Sequence, residues 1–390
     1  LNKHIKIKHE YQTLAAYPAP LAPLPLPMPS PVDREAGIEA YRNLLSPAQY
    51  QARIREGQTE NLVPPLRRLT DEPPVRVARI GRRWTSSADG KIDLFEIVSS
   101  DGQPLPAWQA GAHIDITITP EFIRQFSLAG DPADRGRYLL GILREDQGRG
   151  GSLKIHQMLR QDAQVVISQP RNHFPVIAMA KRHVLLAGGI GVTPLIAMAH
   201  ELHAAGADFD LYYKSRTRAQ AAFIPELQAM PWAERVHFHF SDERRLDIAD
   251  VLRDYRDGHH VYTCGPAAFM DAVFDTATGF GWPEEALHRE YFSVPETEAL
   301  ERLPFQLRLA RSGQRIAVAA DQSAVQALAA GGLQVDVKCS DGLCGVCAVP
   351  YLEGDVYHRD FVLSKEQRKS RMVLCCSRAA QADGEVVLDL

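Results

Sequence analysis

Cys339, Cys344 and Cys347 form a C-x4-C-x2-C run, and a further thiol follows at Cys375 with Cys376 beside it. Thiols in this order can tie a loop and a distant turn to one inorganic group, which constrains the C-terminal part of the chain more tightly than any hydrophobic pattern does. The spacing is the plant-type arrangement for a [2Fe-2S] cluster. Four thiolates also hold zinc, but zinc sites usually bring cysteines as two short C-x2-4-C pairs. Here three thiols lie within nine residues, with Gly342 and Gly345 between them, and the fourth is distant. Small residues let such a loop wrap closely and aim its amides at cluster sulfurs. On spacing alone Cys375 and Cys376 compete for the fourth position. His358 is read as structural, since four cysteines suffice.

A cluster of this kind moves one electron at a time, so the rest of a 390-residue chain is expected to hold an electron source and a converter. That length predicts two to four domains. A formal net charge of −4 leaves no basic footprint, and no nucleic-acid partner is expected. No apolar run approaches the roughly 18 residues of a membrane helix. Lys3, Lys6 and Lys8 are not followed by a continuous apolar core, so no secretory signal is expected. Five of the six cysteines lie within 339–376, which fits a reducing compartment. A cytoplasmic monomer is the expectation.

The chain divides by composition. Residues 1–73 read as an extension: residues 16–32 alternate proline with small or apolar residues, which favours an extended linker. Ile38, Tyr41, Leu45 and Tyr50 then recur at near-helical intervals, with a restart at Ser46-Pro47 and a stop at Gly57, which predicts a helical hairpin over 35–57. Residues 74–178 carry short alternating strands (75–80, 92–98, 113–118, 138–143 and 164–168) with Gly and Pro between them, the pattern of a small antiparallel barrel. Over 179–292, strands at 184–187, 209–213, 236–240 and 260–262 alternate with helical segments at 194–205 and 269–278. That alternation predicts a parallel sheet covered on both faces. Residues 293–303 form a charged link, and 304–390 hold the cysteines.

Chemistry-bearing motifs sit at the predicted strand ends. The run from His183 to Ala187 enters Gly188, Gly189, Ile190, Gly191, Val192, Thr193 and Pro194, placing bare backbone at a strand end and a helix start, where amides and the helix dipole attract a pyrophosphate. This spacing is not the G-x-G-x-x-G fingerprint. A second loop, Cys264, Gly265 and Pro266, ends a later strand on the same edge and completes a nucleotide crevice. In the barrel, Arg124, Gln125, Phe126, Ser127 and Leu128 offer a charged fork and a hydroxyl. Gly148 to Ser152 offers amides at a helix start, including Gly150 and Gly151. Between a nucleotide domain and a cluster domain these fit a flavin, the cofactor that turns a hydride into single electrons. Ser215, Arg216 and Arg218 follow the second nucleotide strand, where positive charge suits a 2′-phosphate.

Together these residues resemble the phthalate dioxygenase reductase family, the class IA reductases of Rieske-type oxygenase systems, over roughly 74–390. Arg124 to Leu128 is similar to its Arg-x-Tyr-Ser-Leu flavin strand, with Phe126 in place of the tyrosine; Gly148 to Ser152 is similar to its phosphate turn. Gly141, Ile142 and Leu143 correspond to the strand whose backbone meets the isoalloxazine and ribityl portion. Glu290, Tyr291 and Phe292 resemble the Glu-x-Phe segment whose ring covers the flavin. Residues 372–379 resemble the fourth-ligand segment, which implies Cys375 as the ligand and Cys376 as a bystander. The resemblance implies a multidomain fold: an antiparallel flavin barrel, a ferredoxin reductase-like α/β nucleotide domain and a β-grasp ferredoxin domain. It implies FMN in place of FAD, NADH as donor with NADPH as the alternative, and Cys264, Thr193 and Phe292 at the reacting centre. Electrons then pass from NADH through FMN and the cluster to a Rieske oxygenase or O-demethylase, with a cytochrome P450 as the alternative partner. A non-catalytic zinc or redox regulator is the rival from a different class. The cluster loop is expected to be exposed for delivery.

Overall fold

The computed structural model describes residues 67–68, 75–119, 122–145, 151–295 and 302–390. The proline-rich stretch at 16–32, the helical hairpin at 35–57 and the turn from Gly148 to Gly150 lie outside the described residues. A two-residue strand β1 (Arg67–Arg68) precedes the barrel and pairs elsewhere. The barrel strands are β2 (Val75–Thr85), β3 (Ile92–Ser99), β4 (Ala112–Thr119), β5 (Phe122–Ser127) and β6 (Arg137–Leu143), followed by helix α1 (Gly151–Met158), β7 (Gln164–Ser168) and β8 (Arg171–Asn172). Their order is β5-β4-β7-β2-β3-β6 with β8 on β4, and every pair is antiparallel. The Ala129 N–H donates to the Leu139 carbonyl at 2.8 Å and brings the two outer strands together. β2 runs beyond the expected end at Ile80 because the ladder shifts register between Ile80 and Arg82 and then resumes.

Strand β4 departs from simple alternation. Ile114 and Ile116 face the barrel core, but His113 and Asp115 on the opposite face are also buried, the latter at 1% exposure. Buried ionisable groups on an outer face imply a polar cover.

The second domain is built from β9 (Arg182–Gly188), α2 (Val192–Ala204), β10 (Phe209–Ser215), α3 (Ile224–Gln228), β11 (Val236–Phe240), α4 (Ile248–Leu252), β12 (His259–Cys264), α5 (Ala267–Gly279) and β13 (Leu287–Glu290). The sheet is parallel throughout, in the order β11-β10-β9-β12-β13, so its switch point lies between β9 and β12. β9 reads as a continuous apolar run because both its faces are covered.

The third domain comprises β14 (Phe305–Leu309), β15 (Arg315–Val318), α6 (Ala324–Ala330), β16 (Leu333–Gln334), β17 (Ala348–Glu353), β18 (Val356–Tyr357), α7 (Lys365–Arg368), β19 (Arg371–Val373), β20 (Arg378–Ala379) and β21 (Glu385–Leu388). Its mixed sheet has the order β15-β14-β21-β17-β19, with β14 parallel to β21. A Ser323–Gln326 capping box opens α6, whose Ala327 and Leu328 face the sheet core. β1 pairs in parallel with β16, so the chain ahead of the barrel touches the last domain.

The cores are distributed unevenly. One buried apolar cluster runs unbroken from the barrel (Ile80, Tyr138) into the second domain (Leu195, Phe223, Trp232). The third domain has its own cluster, centred on Leu307, Leu328, Met372 and Leu388. Hydrogen bonds reinforce the first seam: Trp84 Nε1 donates to Glu226 at 3.0 Å and the Phe223 N–H donates to Ser86 Oγ at 2.8 Å.

Candidate functional site

The switch point of an open parallel sheet is where such folds bind ligands. Here the two loops leaving β9 and β12 press together. A Cβ on Gly191 would collide with the Cys264 carbonyl, and one on Gly265 would stand 2.8 Å from Gly188 Cα. Only glycine permits this closeness, which leaves the loop backbones bare at the crevice. A 3-10 turn, Gly189–Gly191, leads directly into α2. The buried Thr263 hydroxyl beside it has no hydrogen-bond partner.

The barrel meets the crevice at three points. Cys264 pairs with Glu290 across the β12–β13 ladder, and the Ser127 hydroxyl of β5 donates to Glu290 Oε2 at 3.4 Å. Glu290 is half-buried as a residue, but its carboxyl lies where desolvation pushes it up to about 8 against the pull of Ser127. Burial, with the Glu290 charge as the next contribution, holds the Cys264 thiol well above its usual range. At neutral pH this corner therefore carries a protonated acid and a neutral thiol. Gly141 on β6 lies against the ring of Phe223 and the methyl of Thr193, at 2.7 and 3.0 Å from where a Cβ would stand. Thr193 itself is buried and donates to the Ile190 carbonyl at 3.0 Å.

The remaining flavin candidates follow along the barrel. Arg124 donates to its neighbour Ile123 O at 2.8 Å, and the buried Gln125 Nε2 has no partner. An orphaned buried donor on this strand fits a ligand with acceptors. Phe126 is half-buried, and Ile142 O accepts from His156 at 3.1 Å while Leu143 pairs with Ile92. Gly151 opens α1 and Ser152 Oγ accepts the Glu145 N–H at 2.9 Å. Of the β10 group, Ser215 is buried, Arg216 is exposed, and Arg218 is committed to a two-pronged pair with Glu243 at 3.0 and 3.1 Å. Phe292 remains 43% exposed, whereas its neighbour Tyr291 packs on Phe361 of the third domain, with ring centroids 5.0 Å apart.

The thiols converge on one loop and a facing turn. Cys339 touches Cys344 and Cys375, and Cys375 touches Cys347. Gly342, at φ 76°, lets the loop pass over Cys376 Sγ, which would stand 2.7 Å from any Cβ there. Cys376 touches Cys375 and also lies near the Val373 carbonyl and the Ser377 hydroxyl, at 3.8 and 3.9 Å.

The expected exposure of this loop is not seen. In residues 337–347 only Val337 and Ser340 are exposed, because the loop packs on the outer face of β4. Lys338 pairs with Asp115, and Gly345 lies against the His173 ring.

Residues 165–287 match the N-terminal domain of the dimethylamine monooxygenase subunit DmmA-like family, and residues 307–381 match the 2Fe-2S iron-sulfur cluster binding domain. The tert-butanol monooxygenase / tert-amyl alcohol desaturase reductase subunit of Aquincola tertiaricarbonis is 44% identical over 77% of this chain and 92% of its own. The phthalate dioxygenase reductase of Burkholderia cepacia is 37% identical over 76% of this chain and 92% of its own. A solved phthalate dioxygenase reductase, described as a modular structure for electron transfer from pyridine nucleotides to [2Fe-2S], superposes with a TM-score of 0.59. It is 35% identical, and the match covers 81% of this chain and 98% of that one. The chain belongs to the phthalate dioxygenase reductase family. An intact type IV self-sufficient cytochrome P450 monooxygenase superposes with a TM-score of 0.75 at 38% identity, over 81% of this chain and 41% of that one.

As a member of this reductase family the protein is an oxidoreductase with a [2Fe-2S]-binding domain, which displaces the zinc regulator reading. Among the described residues no helix is long and apolar enough to cross a membrane. The structure brings together Cys264, Thr193, Ser127 and the glycines of both loops, and separately the thiols of Cys339, Cys344, Cys347, Cys375 and the adjoining Cys376. It leaves Arg216 on the surface. Missing from the sequence reading are Phe223, which joins barrel to nucleotide domain, and the Asp115–Lys338 pair. Neither follows a motif; the buried polar face of β4 is visible only once the strands are placed.

Proposed function

We propose that NADH binds across Gly188 to Pro194 and Cys264 to Pro266, and that FMN lies on Arg124 to Ser127 and Gly141 to Leu143. The Gly150, Gly151 and Ser152 turn would hold its phosphate. Bound flavin converts a hydride into single electrons. The protein supplies geometry: the shared core fixes the crevice against the barrel, Thr193 and Cys264 present neutral side chains there, and Phe292 covers the open side. Glu290 holds a proton beside Ser127 at neutral pH. Cys339, Cys344, Cys347 and Cys375 hold the cluster. Arg218, already paired with Glu243, favours NADH over NADPH.

One observation carries this reading. The nucleotide crevice and the cluster loop dock on the same barrel, so both ends of an electron path meet one domain. The recipient we infer is a separate oxygenase of Rieske type in the cytoplasm. In support, the relatives named as reductase components, including vanillate O-demethylase oxidoreductase at 41% identity, are matched over more than nine-tenths of their own length. The likeness to a P450-fused reductase favours a second reading in which a haem oxygenase is served.

Anaerobic titration with NADH tests the path. The expected result is flavin bleaching together with the EPR signal of a reduced [2Fe-2S] cluster. Bleaching with a silent cluster would break the last step. Cys375→Ser is expected to bleach without any cluster signal while Cys376→Ser keeps both, and the reverse pattern would reassign the fourth ligand.

A further inference from the structure

The face of β4 turned toward the third domain carries a charge arrangement that the electron path leaves unexplained. Asp115, 1% exposed, receives two cations from opposite sides. Arg171 of the barrel donates to Asp115 Oδ1 at 2.6 Å and is itself held by Ser168 Oγ at 3.1 Å. Lys338, next to the ligand Cys339, donates to Oδ2 from the other domain, with its side chain only 11% exposed. Burial works against the Asp115 charge, but Arg171 and Lys338 together more than offset it and hold the carboxyl below its usual range.

The two cations differ in what separation of the domains would do to them. A lysine at this depth without a carboxylate would carry a large desolvation cost, so Lys338 can dock only where Asp115 stands. If the third domain lifts away, Lys338 regains water and Asp115 keeps Arg171. No charge is orphaned on the barrel. The contact is therefore strong when closed and tolerable when open, unlike an isolated buried pair, whose separation strands both partners.

We propose that Asp115 and Lys338 are positioning residues for the internal electron step. Their ion pair seats the cluster loop on the flavin barrel, and Arg171 keeps Asp115 paired when the domain lifts to serve its oxygenase. One NADH supplies two electrons and the cluster accepts one at a time, so the seated state is used twice for each NADH consumed. The inference rests on the proposed electron path.

Stopped-flow reduction of the holoprotein by NADH, followed at flavin and cluster wavelengths, tests it. Lys338→Met is expected to leave flavin reduction within about twofold of the parent and to slow cluster reduction by about tenfold or more, the scale on which part of a buried pair's energy sets a closed population. Lys338→Arg should restore most of the rate. Hydrogen exchange of the oxidised protein supplies a readout independent of turnover: peptides covering 111–117 and 336–346 should exchange faster in Lys338→Met. Asp115→Asn, introduced far from the ligands in sequence, should slow the same step, and the double variant should be no slower than the worse single one. Cluster reduction at the parent rate in Lys338→Met, unchanged exchange, or multiplied losses in the double variant would each overturn the inference. Should the parent itself fail to reduce its cluster, the electron path falls instead.

Discussion

The barrel has two neighbours and meets them in opposite ways. Toward the nucleotide domain it shares a single apolar core, with Phe223 against Gly141 and Trp84 bonded to Glu226. Toward the ferredoxin domain it presents Asp115, His113 and Arg171, and the cores on either side stay separate. A shared apolar core cannot open without exposing surface to water, whereas a charged contact can exchange its partner for solvent. Hydride transfer needs reacting atoms held within a near-attack geometry. Delivery to an outside partner needs the donor to become reachable. The chemistry of each seam matches the demand of its step.

Three measurements would break or sharpen this contrast, in order of expected size. Phe223→Ala removes a ring buried at 1% exposure and should destabilise by about 3–5 kcal/mol, the usual cost of such a truncation. Calorimetry should show one transition, barrel and nucleotide domain together, moving down while the ferredoxin domain holds its place. Independent melting of barrel and nucleotide domain would refute the shared core.

The second effect is on pH dependence. Glu290 has an ordinary carboxyl pKa of 4.5 when unfolded and about 8 in the fold. Between those values the folded protein keeps a proton that the unfolded chain releases, so its stability falls as pH rises. The contribution is intact below pH 4.5 and gone above about 8. Urea unfolding across this window should show the decline in the parent and lose that part of it in Glu290→Gln; equal slopes would mean that the seam is wet.

The smallest effect tests the other interface. Lys365 and Glu284 also pair between domains, but their side chains are 77% and 68% exposed. Lys365→Ala should change stability by no more than about 0.5 kcal/mol and leave exchange at 336–346 untouched. A loss comparable to that in Lys338→Met would spread the docking energy over the whole contact.

Legibility followed the range of the interactions. Strands β7 and β11 match their expected spans residue for residue, since Gln164–Ser168 and Val236–Phe240 are short runs bounded by clear breaks. β13 was not legible because Leu287–Glu290 is four residues long and mostly polar; only the parallel partner β12 makes it a strand. The thiols were readable because a cluster imposes spacing on sequence. Glu290 could be placed by resemblance, but its raised pKa comes from burial in the folded seam, and its hydrogen-bond partner Ser127 lies 163 residues away. Asp115 and Lys338 are 223 residues apart and belong to separate cores, so no local periodicity joins them.

The strand β1 has a mechanical consequence. It lies along β16 of the ferredoxin domain, yet its chain enters the barrel at Val75, with only six residues between Arg68 and that strand. The seven steps from Arg68 to Val75 reach at most about 23–25 Å when fully extended. While β1 stays paired, the ferredoxin domain is on a short leash at one corner as well as joined through 293–303, and it can tilt but not roam. An oxygenase must then bring its own acceptor to the tilted edge, and lengthening the leash would trade the speed of reseating for reach.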